Sequence, residues 1–262
     1  MDYQYILIDV KDRIATVTIN RPEYSNAFAR ESYYEIADAM NTLGARDDVG
    51  VIVITGAGKH FSAGGDIKRF KMLVDTKTYL KAEDIEAVSA MPISIRNCPK
   101  PVIAMINGVA TGAGLSCALA CDFRIVEPSS KMIMAFVNMG LCGDNESIYT
   151  LTRLLGPDKA ELMMMTGDAY KGEQCVKIGL ATVLAEDGKL AETTYALAAK
   201  LAAKSSTAHA SQKRLIRKYF YGDMEKCAKY EGMEIAANSR QPDFTEAVNA
   251  FIEKRMPVYN QK

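Results

Sequence analysis

What the chain lacks narrows it first. With 32 Lys and Arg against 32 Asp and Glu over 262 residues it carries no net charge. General binding of nucleic acid draws on surplus Lys and Arg, so that class is disfavoured and only a local basic groove remains open. Histidine is scarce: His60 and His209 stand far apart, with no H-E-x-x-H and no clustered thiols, and neither a catalytic metal nor a Ser-His-Asp triad finds its residues. The six cysteines, Cys98, Cys117, Cys121, Cys142, Cys175 and Cys227, show no C-x-x-C pairing and read as buried thiols in a reducing compartment. The first residues hold no basic stretch leading into an apolar one, so no secretory signal is expected and the cytoplasm is the expected location. Residues 101–121 are uncharged and long enough for a membrane span. Their Gly108, Gly112, Gly114, Asn107, Thr111 and Ser116 fit a buried strand, a glycine turn and a buried helix better.

What is present is an ordinary globular composition, 48% hydrophobic and 24% charged, in a chain able to bury about 75% of its unfolded surface. Ile14, Val17 and Ile19 alternate with polar residues after a first apolar run, which predicts a β-hairpin. A helix is expected over residues 30–43, then a strand over 51–55 whose unbroken apolar run implies cover on both faces. Another helix is expected over 81–97 and another buried strand over 102–106. Beyond Gly156 helical periodicity dominates, with residues 181–185 the only strand expected there and Gly222 and Pro242 punctuating the last helices. The chain thus divides into an α/β core, residues 1–195, and a helical tail, residues 196–262.

Two glycine-rich segments leave strand ends, Gly56-Ala57-Gly58-Lys59-His60-Phe61-Ser62-Ala63-Gly64-Gly65-Asp66 and Asn107-Gly108-Val109-Ala110-Thr111-Gly112-Ala113-Gly114. Ligands of parallel α/β sheets bind at such ends. Small residues let backbone N–H groups approach a ligand, and two converging N–H groups can hold an enolate or tetrahedral oxyanion; glycines that merely turn the chain would read the same. The P-loop and dinucleotide patterns fail at both loops, and Gly114-Leu115-Ser116-Cys117-Ala118 misses the nucleophile elbow at its last position. The titratable cluster left is Asp144-Asn145-Glu146, between apolar and small residues and a helical run. An acid there serves either as a helix cap or, walled by apolar side chains, as a general acid/base.

The segments from His60 to Ile67 and from Asn107 to Leu115, followed by Cys121-Asp122-Phe123-Arg124, resemble the enoyl-CoA hydratase/isomerase (crotonase) superfamily. Asn20-Arg21-Pro22, Asn26-Ala27, Arg153-Leu154-Leu155-Gly156 and the closing Ala250-Phe251-Ile252-Glu253-Lys254-Arg255 continue the resemblance in family order. It implies a crotonase-like spiral of ββα units with a C-terminal helical trimerisation region, and a homotrimer or dimer of trimers. It also implies an acyl-CoA thioester substrate, CoA being part of that substrate and not a separate cofactor. The thioester oxygen would sit between the N–H groups of Ala63 and Ala113. CoA would run along Ser25 to Ala27 and Ala63 to Ile67, including Gly64 and Asp66, with Lys254 reaching its phosphates. Phe136, Met134, Met139 and Tyr149 are candidates for the acyl pocket or for core.

The two glutamates of the family's hydratases fall at Ser116 and Phe136, so both carboxylates are missing. Asp144 falls where several double-bond isomerases carry a single catalytic acid, and where 4-chlorobenzoyl-CoA dehalogenases carry a nucleophile. The resemblance therefore implies an enoyl-CoA isomerase with Asp144 as its one acid/base. The alternatives are a hydratase using Asp144 and Glu146, dehalogenase-like or thioesterase chemistry, and a non-catalytic CoA-ester-binding subunit.

Overall fold

The computed structural model describes residues 3–260. Strands β1 (Ile6–Lys11) and β2 (Ile14–Ile19) pair antiparallel around Asp12 and Arg13. Both turn residues are left-handed, which matches the twist of a two-residue hairpin. Helix α1 (Arg30–Ala45) returns the chain to β3 (Val51–Gly56), parallel to β2. As the unbroken apolar run predicted, β3 is buried throughout. Ile52 and Ile54 pack with Ile36 and Met40 of α1, while Val51 and Val53 face a second cluster on the opposite side.

The next crossover carries α2 (Ile67–Asp75), α3 (Ala82–Val88) and α4 (Ala90–Asn97). The single helix expected over 81–97 is broken at Ser89. Pro92 has no N–H to give the carbonyl four residues back, so the helix restarts at Ala90 and places Pro92 in its first turn, where no donor is needed. Then follow β4 (Val102–Met105), β5 (Val109–Thr111), α5 (Ala113–Ala120), β6 (Phe123–Val126) and β7 (Lys131–Ile133). The uncharged run 101–121 is therefore strand, turn, strand and helix, and among the described residues no helix is long and apolar enough to cross a membrane. After α6 (Ser147–Leu155) and α7 (Pro157–Thr166) comes β8 (Ala169–Lys171), a strand the sequence reading omits; its three residues are too few to show a pattern. Helix α8 (Gly172–Ile178) leads to β9 (Val183–Leu184).

The main sheet runs β1-β2-β3-β4-β6-β9, parallel beyond the hairpin, beside a smaller sheet β5-β7-β8. Helix α9 (Leu190–Ala202) lays Leu190 and Ala198 over the second face of β3, β4 and β6. Residue 195 thus lies inside a helix that closes the core sheet. Helices α10 (Ser206–Phe220), α11 (Met224–Asn238) and α12 (Pro242–Glu253) fold back, α10 onto α4, α11 onto α3 and α12 onto α2. All six cysteines are free thiols; Cys142 and Cys227 are only half-buried.

Candidate active site

Two asparagines anchor the glycine-rich strand exits. Asn26 gives its amide to the carbonyls of Ala57 and His60 at 2.8 and 2.6 Å, and Asn107 accepts the N–H of Gly56 at 3.1 Å and donates to its carbonyl at 2.8 Å. The two loops then bond to each other: Ser62 N–H donates to Val109 at 3.0 Å and Thr111 N–H to Ser62 at 3.1 Å. Gly64 has φ +84°, and a Cβ there would lie 2.6 Å from the Thr111 carbonyl and 3.3 Å from the Ala113 nitrogen. Only glycine permits that approach.

Ala113 opens α5, and its N–H has no hydrogen bond among the described residues. Ala63 does not supply the second donor, because its N–H is already given to the Ser25 carbonyl at 2.9 Å. The Gly65 N–H, two residues on, has no hydrogen bond among the described residues, and Gly65 and Ala113 line one cavity together. Sequence reading missed Gly65 because nothing in the sequence says which N–H of a loop is spent inside it. At the other end of α5, Arg96 donates to the Leu119 carbonyl at 2.5 Å and Arg124 to that of Cys121 at 2.8 Å. Cations there complement the negative end of a helix whose positive end faces the cavity. Burial, and then the neighbouring Arg96 charge, brings Arg124 down to about 10.

The cavity holds about 330 Å³. Its walls are Tyr33 of α1, Ile67 and Phe70 of α2, Ile85 and Val88 of α3, then Phe136, Met139 and Leu141, with Ile235 and Phe251 contributed by the tail. Phe136 and Met139 are therefore pocket residues, whereas Met134 belongs to the core and Tyr149 is turned to the Phe220 carbonyl. The α2, α3 and tail residues were not legible as pocket residues, since apolar periodicity alone does not distinguish a cavity wall from core.

Two carboxyl groups line this cavity, Asp66 and Asp144. Asp66 is committed: one oxygen caps α2 through Lys68 N–H at 2.9 Å, the other pairs with Arg21 at 3.1 Å. Asp144 is buried, with the Asn145 side-chain amide at 2.6 Å and no cation paired to it. Burial raises it to about 6 against the lowering effect of Asn145, which disfavours the charged form by roughly 3 kcal/mol. Such a group takes up and releases protons near neutral pH.

The other expected residues are spread out. Ile67 lines the cavity; Ser25 and Ala27 do not, although Phe28 beside them does. Lys254 is an exposed, left-handed residue ending α12, outside the cavity wall. Glu146 is fully buried and does not reach the cavity, so it is no second acid there.

Residues 9–262 match the family model described as enoyl-CoA hydratase/isomerase. Along its whole length the chain is 32% identical to trans-2-decenoyl-[acyl-carrier-protein] isomerase of Streptococcus mutans, covering all of that protein. It is 28% identical to crotonyl-CoA hydratase of Syntrophomonas wolfei, again over all of both chains. The crystal structure of an enoyl-CoA hydratase from Mycobacterium avium subsp. paratuberculosis superposes with a TM-score of 0.89 at 25% identity, over 99% of this chain and 100% of that one.

Proposed function

Because the chain belongs to the enoyl-CoA hydratase/isomerase family, we propose that it moves the carbon–carbon double bond of an enoyl thioester, with Asp144 as its single acid/base. The observation that carries this is the cavity's carboxyl inventory: of its two, Asp66 is spent on a cap and an ion pair, and Asp144 alone is free. Hydration would need one group to activate water and another to manage the α-proton, and Glu146, the candidate for that second role, is turned away.

In this reading the thioester oxygen sits between the N–H groups of Gly65 and Ala113. Ionised Asp144 takes a proton from the acyl chain, the two N–H groups hold the resulting dienolate, and the same carboxyl returns the proton two carbons away. Each donor is worth about 3 to 4 kcal/mol in the transition state. The apolar walls suit an uncharged acyl chain and keep water from the dienolate. We also propose that the chain assembles with its own copies through the helical tail, where α10 leaves Leu215, Tyr219 and Phe220 exposed.

The test is turnover of 3-enoyl-, 2-enoyl- and 4-halobenzoyl-CoA in deuterated water, read by mass spectrometry, beside Asp144→Asn. A 3-enoyl to 2-enoyl shift without mass gain of water, lost in Asp144→Asn, is the expected result. Net hydration that survives Asp144→Asn would overturn it, and tight ester binding without turnover would point to a binding subunit.

A further inference from the structure

Next to Asp144, among residues that do not line the cavity, Oε1 of Glu231, Oδ1 of Asn145 and Oγ of Ser147 are buried without a hydrogen-bond partner, and the Glu146 carboxyl is buried with only the Ser89 hydroxyl interacting with it. Helix α11 reaches this stretch of chain twice, once through Asn238 Oδ1, which accepts the Cys142 N–H at 2.8 Å, and once through Glu231. The Glu146 N–H donates to Glu231 Oε2 at 2.7 Å, tying the start of α6 to α11, 85 residues further along the chain. That start is strained: Asn145 and Glu146 are consecutive non-glycine residues at φ 53°, a left-handed backbone that L side chains rarely adopt. Glu146 stands at the N-cap and no side-chain cap bond forms there. The turn closes on itself through the Ser147 N–H, which donates to the Asp144 carbonyl at 3.1 Å, and from outside its segment it is held by the Ser116 hydroxyl on that carbonyl at 3.3 Å and by Glu231.

Glu231 is well placed to hold it. Next to it, a Cβ on Gly232 would lie 2.9 Å from the Ala82 carbonyl, so α11 lies flush on α3 and Glu231 has little freedom. Neither glutamate is ion-paired; Arg217, the nearby cation, is paired with Glu225. Burial raises Glu146 to about 8 and Glu231 to about 9, Glu231 further raised by Glu146, so both carry protons at neutral pH. A protonated carboxyl still accepts an N–H through its carbonyl oxygen.

We propose that Glu231 is a positioning residue for the reaction: by accepting the Glu146 N–H it fixes the left-handed turn that aims the Asp144 carboxyl into the cavity. The proposal rests on the reading of Asp144 as the acid/base. Its consequence is that the tail is required for turnover, apart from any share in assembly.

The experiment uses the full chain with Glu231→Met, which keeps volume and removes the acceptor, Glu231→Gln, which keeps an acceptor oxygen, and Asp144→Asn. kcat and KM are measured on 3-enoyl-CoA well below each variant's Tm. A displaced carboxyl should lower kcat of Glu231→Met about 100-fold with KM within about threefold of wild type. Glu231→Gln should recover most of that loss. Glu231→Met at wild-type kcat, Glu231→Gln as slow as Glu231→Met, or kcat falling only in step with ester binding would each overturn the proposal. Inactive Asp144→Asn beside fully active Glu231→Met overturns the proposal alone; active Asp144→Asn overturns the acid/base reading with it. Amide hydrogen exchange needs no variant: the Glu146 N–H of wild type should be protected, and rapid exchange there would also overturn the proposal.

Discussion

One carboxyl group, held by an amide and no cation, sets the pH behaviour of the site. In the proposed reaction Asp144 acts first as a base, so it must be ionised, and burial lifts it to about 6. As pH falls through that value the base is protonated, and kcat/KM is expected to drop about tenfold per pH unit below about 6. A pH–rate profile checks this: a limb near 4, the range of an ordinary exposed aspartate, would mean that the free enzyme does not keep the group buried. Asp144→Asn removes the base altogether and is expected to leave no measurable isomerisation in the same assay. Gly64 makes a second prediction at this scale. With φ +84° and no room for a Cβ beside the Thr111 carbonyl, Gly64→Ala should cost about 2 kcal/mol or more in urea denaturation, besides parting the two loops. Asp144 was legible only as a candidate, since its residues alone left it open as a helix cap or an acid/base and the family resemblance singled it out; its burial in the cavity wall needed the structure. Gly65 was not: the choice between it and Ala63 depends on the Ser25 carbonyl, which takes the Ala63 N–H from 38 positions away.

Helix α5 aims its first turn at the cavity, where the proposed reaction places the thioester oxygen. Ala113 occupies the first helical position, where proline's missing N–H breaks no helical bond. Gly112 before it tolerates the restriction that proline imposes on its neighbour. Ala113→Pro should therefore lower kcat about 100- to 1,000-fold, as loss of one oxyanion donor does, while thermal unfolding shifts by only a few degrees. A large fall in Tm with kcat retained in the folded fraction would show that the N–H caps the helix and does not serve the substrate. Element existence was largely readable: β3 declared itself by four apolar residues in a row, α1 by its helical spacing, and the region beyond Gly156 by its helical periodicity. What escaped was decided by single residues or by partners. Pro92 splits one expected helix into α3 and α4, and β8 exists because β7 offers it an edge. Glu231 could not be found locally, since its contact lies 85 residues back along the chain.

The tail joins the rest of the molecule in two ways beyond α9, which spans its boundary and covers the sheet: Ile235 and Phe251 wall the cavity, and Glu231 accepts the Glu146 N–H before α6. Its outer surface is apolar where α10 presents Leu215, Tyr219 and Phe220, and α7 adds Met165. Such a surface is expected to be covered by another copy, giving a solution mass that is a multiple of 28.7 kDa. A trimer or dimer of trimers by light scattering would agree with this; a monomer at micromolar concentration would remove the assembly proposal. The buried glutamates make the last prediction, about the stability of the whole fold. Glu146 and Glu231 bind protons in the native state up to about 8 and 9, whereas in the unfolded chain they release them near the ordinary value of 4.5. Between those limits the native state holds more protons, so unfolding free energy falls as pH rises. Denaturant midpoints should accordingly be higher at pH 6 than at pH 9. Glu231→Gln removes one of the two titrating groups while keeping the acceptor, so the slope should flatten and the variant should gain on wild type as pH rises. Parallel curves for the two proteins would mean that the carboxyls reach solvent before they ionise, and that their burial is not maintained in the folded state at alkaline pH.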